Sequence, residues 1–130
     1  MNANIIITTI PEGVSILPVY CFAHCPNVNI SVFGTDTVGV GLKAIGNAAL
    51  RYCGSSVTNI TLLNSIEQIA TSNDGNIVKE PAFAYYATNT LTQFTSSKPY
   101  GEIVNGLGEP LSSWAETGLP SDKITEIVLY

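Results

Sequence analysis

The densest group of chemically able side chains in this sequence is Cys21, His24 and Cys25. Two thiols and an imidazole are zinc ligands, but a structural zinc site takes four donors, usually as two spaced pairs. Cys53 completes such a set only if its segment stacks on the first. Three cysteines, an odd number, make no disulfide framework. Cys25 and Cys53 recur at matching places in two similar segments, which favours packing over metal, with a Cys25–Cys53 bridge as a further alternative. His24 is the sole histidine, so any Ser–His or Cys–His nucleophile must use it, and no acidic residue lies near it in sequence to orient the ring. The ten acidic residues show no spaced pairs of the kind a metal loop needs. Asn73-Asp74-Gly75 reads as a turn, since these residue types tolerate positive φ. Gly39-Val40-Gly41 and Gly106-Leu107-Gly108 lack the Lys-Ser/Thr pair that follows in a phosphate loop. The expectation is a protein without metal, cofactor or catalytic centre.

What remains is a set of polar residues spaced as the outward positions of strands. Thr9, Ser31, Thr61, Thr95 and Val128 are expected in one outward column, and Asn29, Asn59, Gln93 and Glu126 in the next. From these, Asn29, Ser31, Asn59, Thr61, Gln93, Thr95 and Glu126 form the candidate binding face. Tyr20, Tyr52, Tyr85, Tyr86 and Tyr100 are further candidates, because tyrosine is enriched at interfaces.

The elements that must position them repeat along the chain. Val57-Thr-Asn-Ile60-Thr-Leu62, Leu91-Thr-Gln-Phe94-Thr-Ser96 and Ile124-Thr-Glu-Ile127-Val-Leu129 share one strand-like pattern. Val28-Asn-Ile30-Ser-Val32 is a shorter version, and Ile5 to Ile10 a plausible first copy. Between them, Val14 to Cys25 can be laid directly over Leu42 to Cys53, apolar on apolar. A degraded third copy starts at Ile66, breaks at Thr71 to Pro81 and resumes at Ala82-Phe83; a fourth runs from Val104 towards Trp114. No such unit buries its apolar side alone, so neighbours must stack. Stacking predicts parallel strands with Ile30, Ile60, Phe94 and Ile127 in one inward column. Phe22, Leu50, Phe83 and Trp114 are expected in a second column.

The run Ile10-Pro11-Glu12-Gly13-Val14, with Leu17 and Cys21-Phe22-Ala23-His24-Cys25, resembles the BspA-type leucine-rich repeat. Leu42 to Cys53 is similar to it through Ile45-Gly46 and Ala49. The resemblance runs from about Ile5 to Leu129 and implies an α/β repeat solenoid, a leucine-rich-repeat stack of short parallel strands with helical or irregular return segments. It implies one domain over residues 1–130, with repeats at about 5–27, 28–56, 57–90 and 91–130. It also implies a structural place for Cys25 and Cys53, and a surface that adheres to a protein or glycan.

Composition narrows the partners. The net charge is -5 and the basic residues are scattered, which argues against nucleic acid. No apolar run approaches the roughly 20 residues that span a bilayer. The N-terminus has no basic start or long apolar segment, so no signal peptide is expected, leaving a cytoplasmic or virion location open. Both terminal strands are expected to lie bare, inviting self-association or a place in a larger assembly. The functional expectation is a non-enzymatic interaction or adhesion module. The alternative is a structural virion subunit of a phage (tail, fibre or capsid decoration) that assembles through its ends.

Overall fold

The computed structural model describes residues 6–75, 77–119 and 125–129. The chain winds as a parallel β-solenoid of about three turns. Among the described residues seven short strands follow in order: β1 (Ile16–Leu17), β2 (Val32–Phe33), β3 (Ala44–Ile45), β4 (Asn59–Leu62), β5 (Gln68–Ile69), β6 (Gln93–Ser96) and β7 (Thr125–Val128). They form two sheets, β1-β3-β5 and β2-β4-β6-β7, in which every pair is parallel. Each full coil gives one strand to each sheet. Their inner faces meet in a single core that holds Leu17, Ile45 and Ile69 from one side and Phe33, Leu62, Ile60 and Phe94 from the other.

The described residues are mostly strand and turn, with two short 3-10 turns, Tyr100–Glu102 and Trp114–Thr117, as their helices, so of the helical or irregular return segments expected the irregular form is found. The return segments are strings of overlapping β-turns. In the first, the N–H groups of Cys21, Ala23 and Cys25 donate locally to the carbonyls of Pro18, Tyr20 and Phe22. The alternate N–H groups, of Tyr20, Phe22 and His24, donate to the carbonyls of Asn47, Ala49 and Arg51 in the next coil. The same rhythm runs from Ala48, Leu50 and Tyr52 to Pro81, Ala82 and Ala84. An α-helix would need all those donors within one segment. Here half of them tie coil to coil, and Tyr20, His24, Ala48, Tyr52, Tyr85 and Ala87 adopt positive φ to make it so.

Glycine matters at two of these places. A Cβ on Gly46 would sit 2.9 Å from the Leu17 carbonyl oxygen and the Val19 nitrogen, so only glycine lets these coils touch. Gly54 has φ +76, and a Cβ there would lie 2.9 Å from the Tyr86 ring. The interruption at Thr71 to Pro81 loops out of the stack. Asn47 holds both of its feet, donating from Nδ2 to the carbonyls of Thr71 (3.0 Å) and Glu80 (2.9 Å). Ala82 then resumes the coil by donating to Ala70.

Ile60 pairs with Phe94 and both are fully buried, as the repeat predicts. Leu50 and Phe83 are buried in successive coils, with Phe22 partly buried against the same core. Trp114 departs: it is buried, but packs edge-on to Phe94 (5.4 Å) and Tyr100 (6.1 Å) rather than in the Phe83 column. Ile127 also departs. It pairs with Thr95 on the outer face and is 38% exposed, while Glu126 stands opposite Phe94. Val128, expected outside, pairs with Ser96. β7 is therefore slipped by one residue, and a slip of one turns every side chain to the other face. In this register the Trp114 indole N–H donates to the Glu126 carboxylate at 2.8 Å, and Glu126 stays exposed at the edge of the sheet.

The first strand pair shows the opposite irregularity. Val32, expected inside, pairs with Thr61 and is exposed, and Phe33 takes the interior place beside Leu62. Ile30 is nonetheless fully buried. Both of its backbone groups meet the Tyr86 hydroxyl, which accepts from its N–H (2.9 Å) and donates to its carbonyl. Both Ser31 and Val32 then face outward. Of the expected first copy, Ile7 bridges Val28 and Asn29 donates to Ile7; residue 5 lies outside the described residues, as does Ile124.

Candidate binding surfaces

The outer face of β2-β4-β6-β7 is built by period-two alternation. Asn59 aligns with Gln93 and Thr61 with Thr95, so four of the candidate residues stand in two adjacent rows. The row of Thr61 and Thr95 is continued by Val32 on one side and Ile127 on the other. The row of Asn59 and Gln93 is continued by Thr125. Ser31 is exposed, but its row position belongs to Val32; its carbonyl accepts from Thr61. Asn29 lies before β2 and is spent on structure, its Oδ1 accepting from Ser56 N–H at 3.0 Å. Glu126 stands opposite Phe94, out of the outward row, and accepts from the Trp114 indole. Thr9 is exposed and outside any strand.

The second sheet carries a shallow groove of about 590 Å³ on its outer side. Small residues, Ala44, Gly46 and Ala70, make its floor, and the exposed side chains of Ile16 and Val19 rise beside it. Asp74 lines one end, but its carboxylate is committed to the Thr71 N–H (2.9 Å) and hydroxyl (2.6 Å).

A third feature stands on the turn strings. His24, Tyr52 and Tyr85 occupy the same left-handed position in successive coils and stack as an aromatic column. The His24 and Tyr52 rings are 4.9 Å apart, and Tyr52 and Tyr85 are 4.8 Å apart at 5°. That spacing is the coil-to-coil distance of a parallel sheet. Arg51 lies 4.9 Å from the Tyr52 ring centre and pairs with Glu80 at 2.9 Å. Of the tyrosines singled out in the sequence, Tyr20, Tyr52, Tyr85 and Tyr100 are exposed and Tyr86 is buried. The column had one legible signal: the repeat alignment lays His24 over Tyr52.

The thiols follow the same rows. Cys53 is buried and donates to the Phe22 carbonyl at 2.8 Å, while Cys25 donates to Ala23. Burial pushes the Cys21 thiol up to about 11, and the nearness of Cys53 and Cys25 adds to it. Burial likewise raises Cys53, against a lowering by the Cys25 backbone. Both shifts favour the protonated form over the nucleophilic thiolate at Cys21 and Cys53. Among the described residues, no three His, Cys, Asp or Glu side chains come together as a metal site. Among the same residues, no helix is long and apolar enough to cross a membrane.

No family model, curated protein or solved structure matches this chain.

Proposed function

We propose that this chain is a non-enzymatic interaction module, a short and degenerate relative of the BspA-type leucine-rich repeat, which engages a protein surface through the outer face of β4 and β6. The observation that carries the reading is the register of that face. Asn59–Gln93 and Thr61–Thr95 form an uncharged patch on a rigid sheet, flanked by exposed Val32 and Ile127. Uncharged polar rows with apolar flanks match the depletion of charge at interface centres. Repeat proteins bind through such extended faces. The relation to the BspA type is supported by the stacked places of Cys25 and Cys53 and by the close coil contact at Gly46.

The test is capture by immobilised protein from the source cells, with the bound partner identified by mass spectrometry. A Thr61→Lys variant, altered on this face, is expected to lose that partner while a Tyr20→Ala variant keeps it. Equal capture by all three proteins would overturn the reading.

β7 favours a second reading, a self-assembling structural subunit of a virion. Among the described residues it is the outermost strand of its sheet, with Ile127, Val128 and Leu129 all exposed. An outer strand with an apolar surface of this kind favours pairing with another chain. Light scattering at micromolar concentration is expected to show oligomers on that reading, and a clean monomer removes it.

A further inference from the structure

Where the turn strings of the second and third full coils hand over to β4 and β6, a cleft of about 200 Å³ opens beside the aromatic column. Tyr52 and Tyr85 form one wall, and Ser55, Thr88, Asn89 and Thr90 line the rest. We infer that this cleft binds a single ring of a neutral saccharide.

Size is the first argument. Drug-sized ligands occupy roughly 300–1,000 Å³, and this space holds less, about one sugar ring. Charge is the second. No acidic or basic side chain lines the cleft. The nearest cation, Arg51, is neutralised by Glu80. A charged ligand would lose its hydration and gain no counter-charge.

Hydrogen-bonding capacity is the third and most discriminating. Thr90 is committed to the Gly54 carbonyl at 3.3 Å. Ser55, Thr88 and Asn89 are exposed to the cleft, and the wall adds the hydroxyls of two exposed tyrosines. So many donors and acceptors around one ring-sized space suit a polyol better than any neutral protein side chain. The wall itself excludes two rivals. Tyr52 is flanked by the rings of His24 (4.9 Å) and Tyr85 (4.8 Å), and Arg51 already stands 4.9 Å from its centre, so the places on it for a further ring or cation are taken. The two phenol side chains offer the cleft hydroxyls for O–H groups and ring carbon for C–H groups.

The wall is also pre-set. Left-handed backbone is unfavourable at a non-glycine residue, yet Tyr52 (φ 58) and Tyr85 (φ 55) hold it and stack on each other. A ligand therefore orders little on binding. The site is separate from the β4–β6 face, so the two readings stand or fall apart.

Saturation-transfer NMR on the whole chain tests this with methyl α-glucoside, methyl α-mannoside, methyl β-galactoside and N-acetylglucosamine as probes. Irradiation of the tyrosine ring protons should transfer magnetisation to at least one of them, with a dissociation constant in the millimolar range, about -4 kcal/mol. Asn89→Ala, an exposed change that leaves the core untouched, should weaken that binding about tenfold. Tyr85→Ala should do the same, and Thr61→Lys should not. Absence of transfer to all four sugars overturns the inference. So does binding that survives both Asn89→Ala and Tyr85→Ala, or a preference for acetate or tetramethylammonium over every sugar.

Discussion

The two ends of the four-stranded sheet break its register in different ways. Between β4 and β6 every residue pairs as the repeat predicts. At the β2 end one extra residue faces outward, and at the β7 end one is lost. Each irregularity is held by one aromatic side chain with a polar tip. Tyr86 satisfies two backbone groups of Ile30 in the interior. Trp114 takes a half-exposed carboxylate from Glu126. The difference teaches that register in a parallel solenoid is decided where a large ring needs a hydrogen-bond partner, and that depth sets the strength of the decision.

The sharpest way to break the comparison is Tyr86→Phe. It strips both the N–H and the C=O of buried Ile30 of their partner, at about 1–3 kcal/mol for each unsatisfied group. Urea unfolding should show a loss of roughly 3 kcal/mol, with exchange of the Ile30 amide accelerated. Alkali offers the same test without a mutation. Burial raises the Tyr86 hydroxyl above its ordinary 10.0, with the Ile30 backbone opposing and Cys53 adding. A raised acid favours the folded state while neutral, so its contribution is intact below pH 10 and is lost as pH climbs beyond. The alkaline loss of stability should be smaller in Tyr86→Phe, and an unchanged pH profile would count against the buried pin.

Gly54→Ala should come next. The added methyl meets the Tyr86 ring at 2.9 Å and the backbone is at φ +76, so a loss of about 2 kcal/mol is expected from overpacking and strain. Smallest is Glu126→Ala. Trp114 can find water in place of the carboxylate, so the loss should be about 1 kcal/mol. Indole fluorescence should report a wetter ring. If Glu126→Ala proves costlier than Tyr86→Phe, the ranking by depth is wrong.

Much of the stacking was legible in the sequence, and the reason is particular. Ile60 with Phe94, Asn59 with Gln93 and Thr61 with Thr95 follow from a pattern that the two segments share residue for residue. The turn strings were not legible as such. Left-handed backbone is signalled by glycine or asparagine, whereas His24, Tyr52 and Tyr85 carry bulky rings there. Nothing in a side chain's hydrophobicity marks that conformation. Ile127 and Val128 are both apolar and both exposed at the sheet edge, so either register fits the pattern equally. The contact made in the observed register is with a partner distant in sequence, Trp114. The binding face was half legible. Asn59, Thr61, Gln93 and Thr95 gather, but Asn29 and Glu126 are drawn off by Ser56 and Trp114.

The alternation of donors along the turn strings has a kinetic side. Tyr20 reaches to Asn47 and Ala48 to Pro81, so none of these bonds can form until a loop of that span has closed. Chain entropy must be surrendered before the first row gives anything back. Such a molecule assembles slowly for its size, unlike a helical bundle whose contacts are local. Its nascent form would pass a long interval with Ile60, Phe94 and their neighbours open to misplaced company.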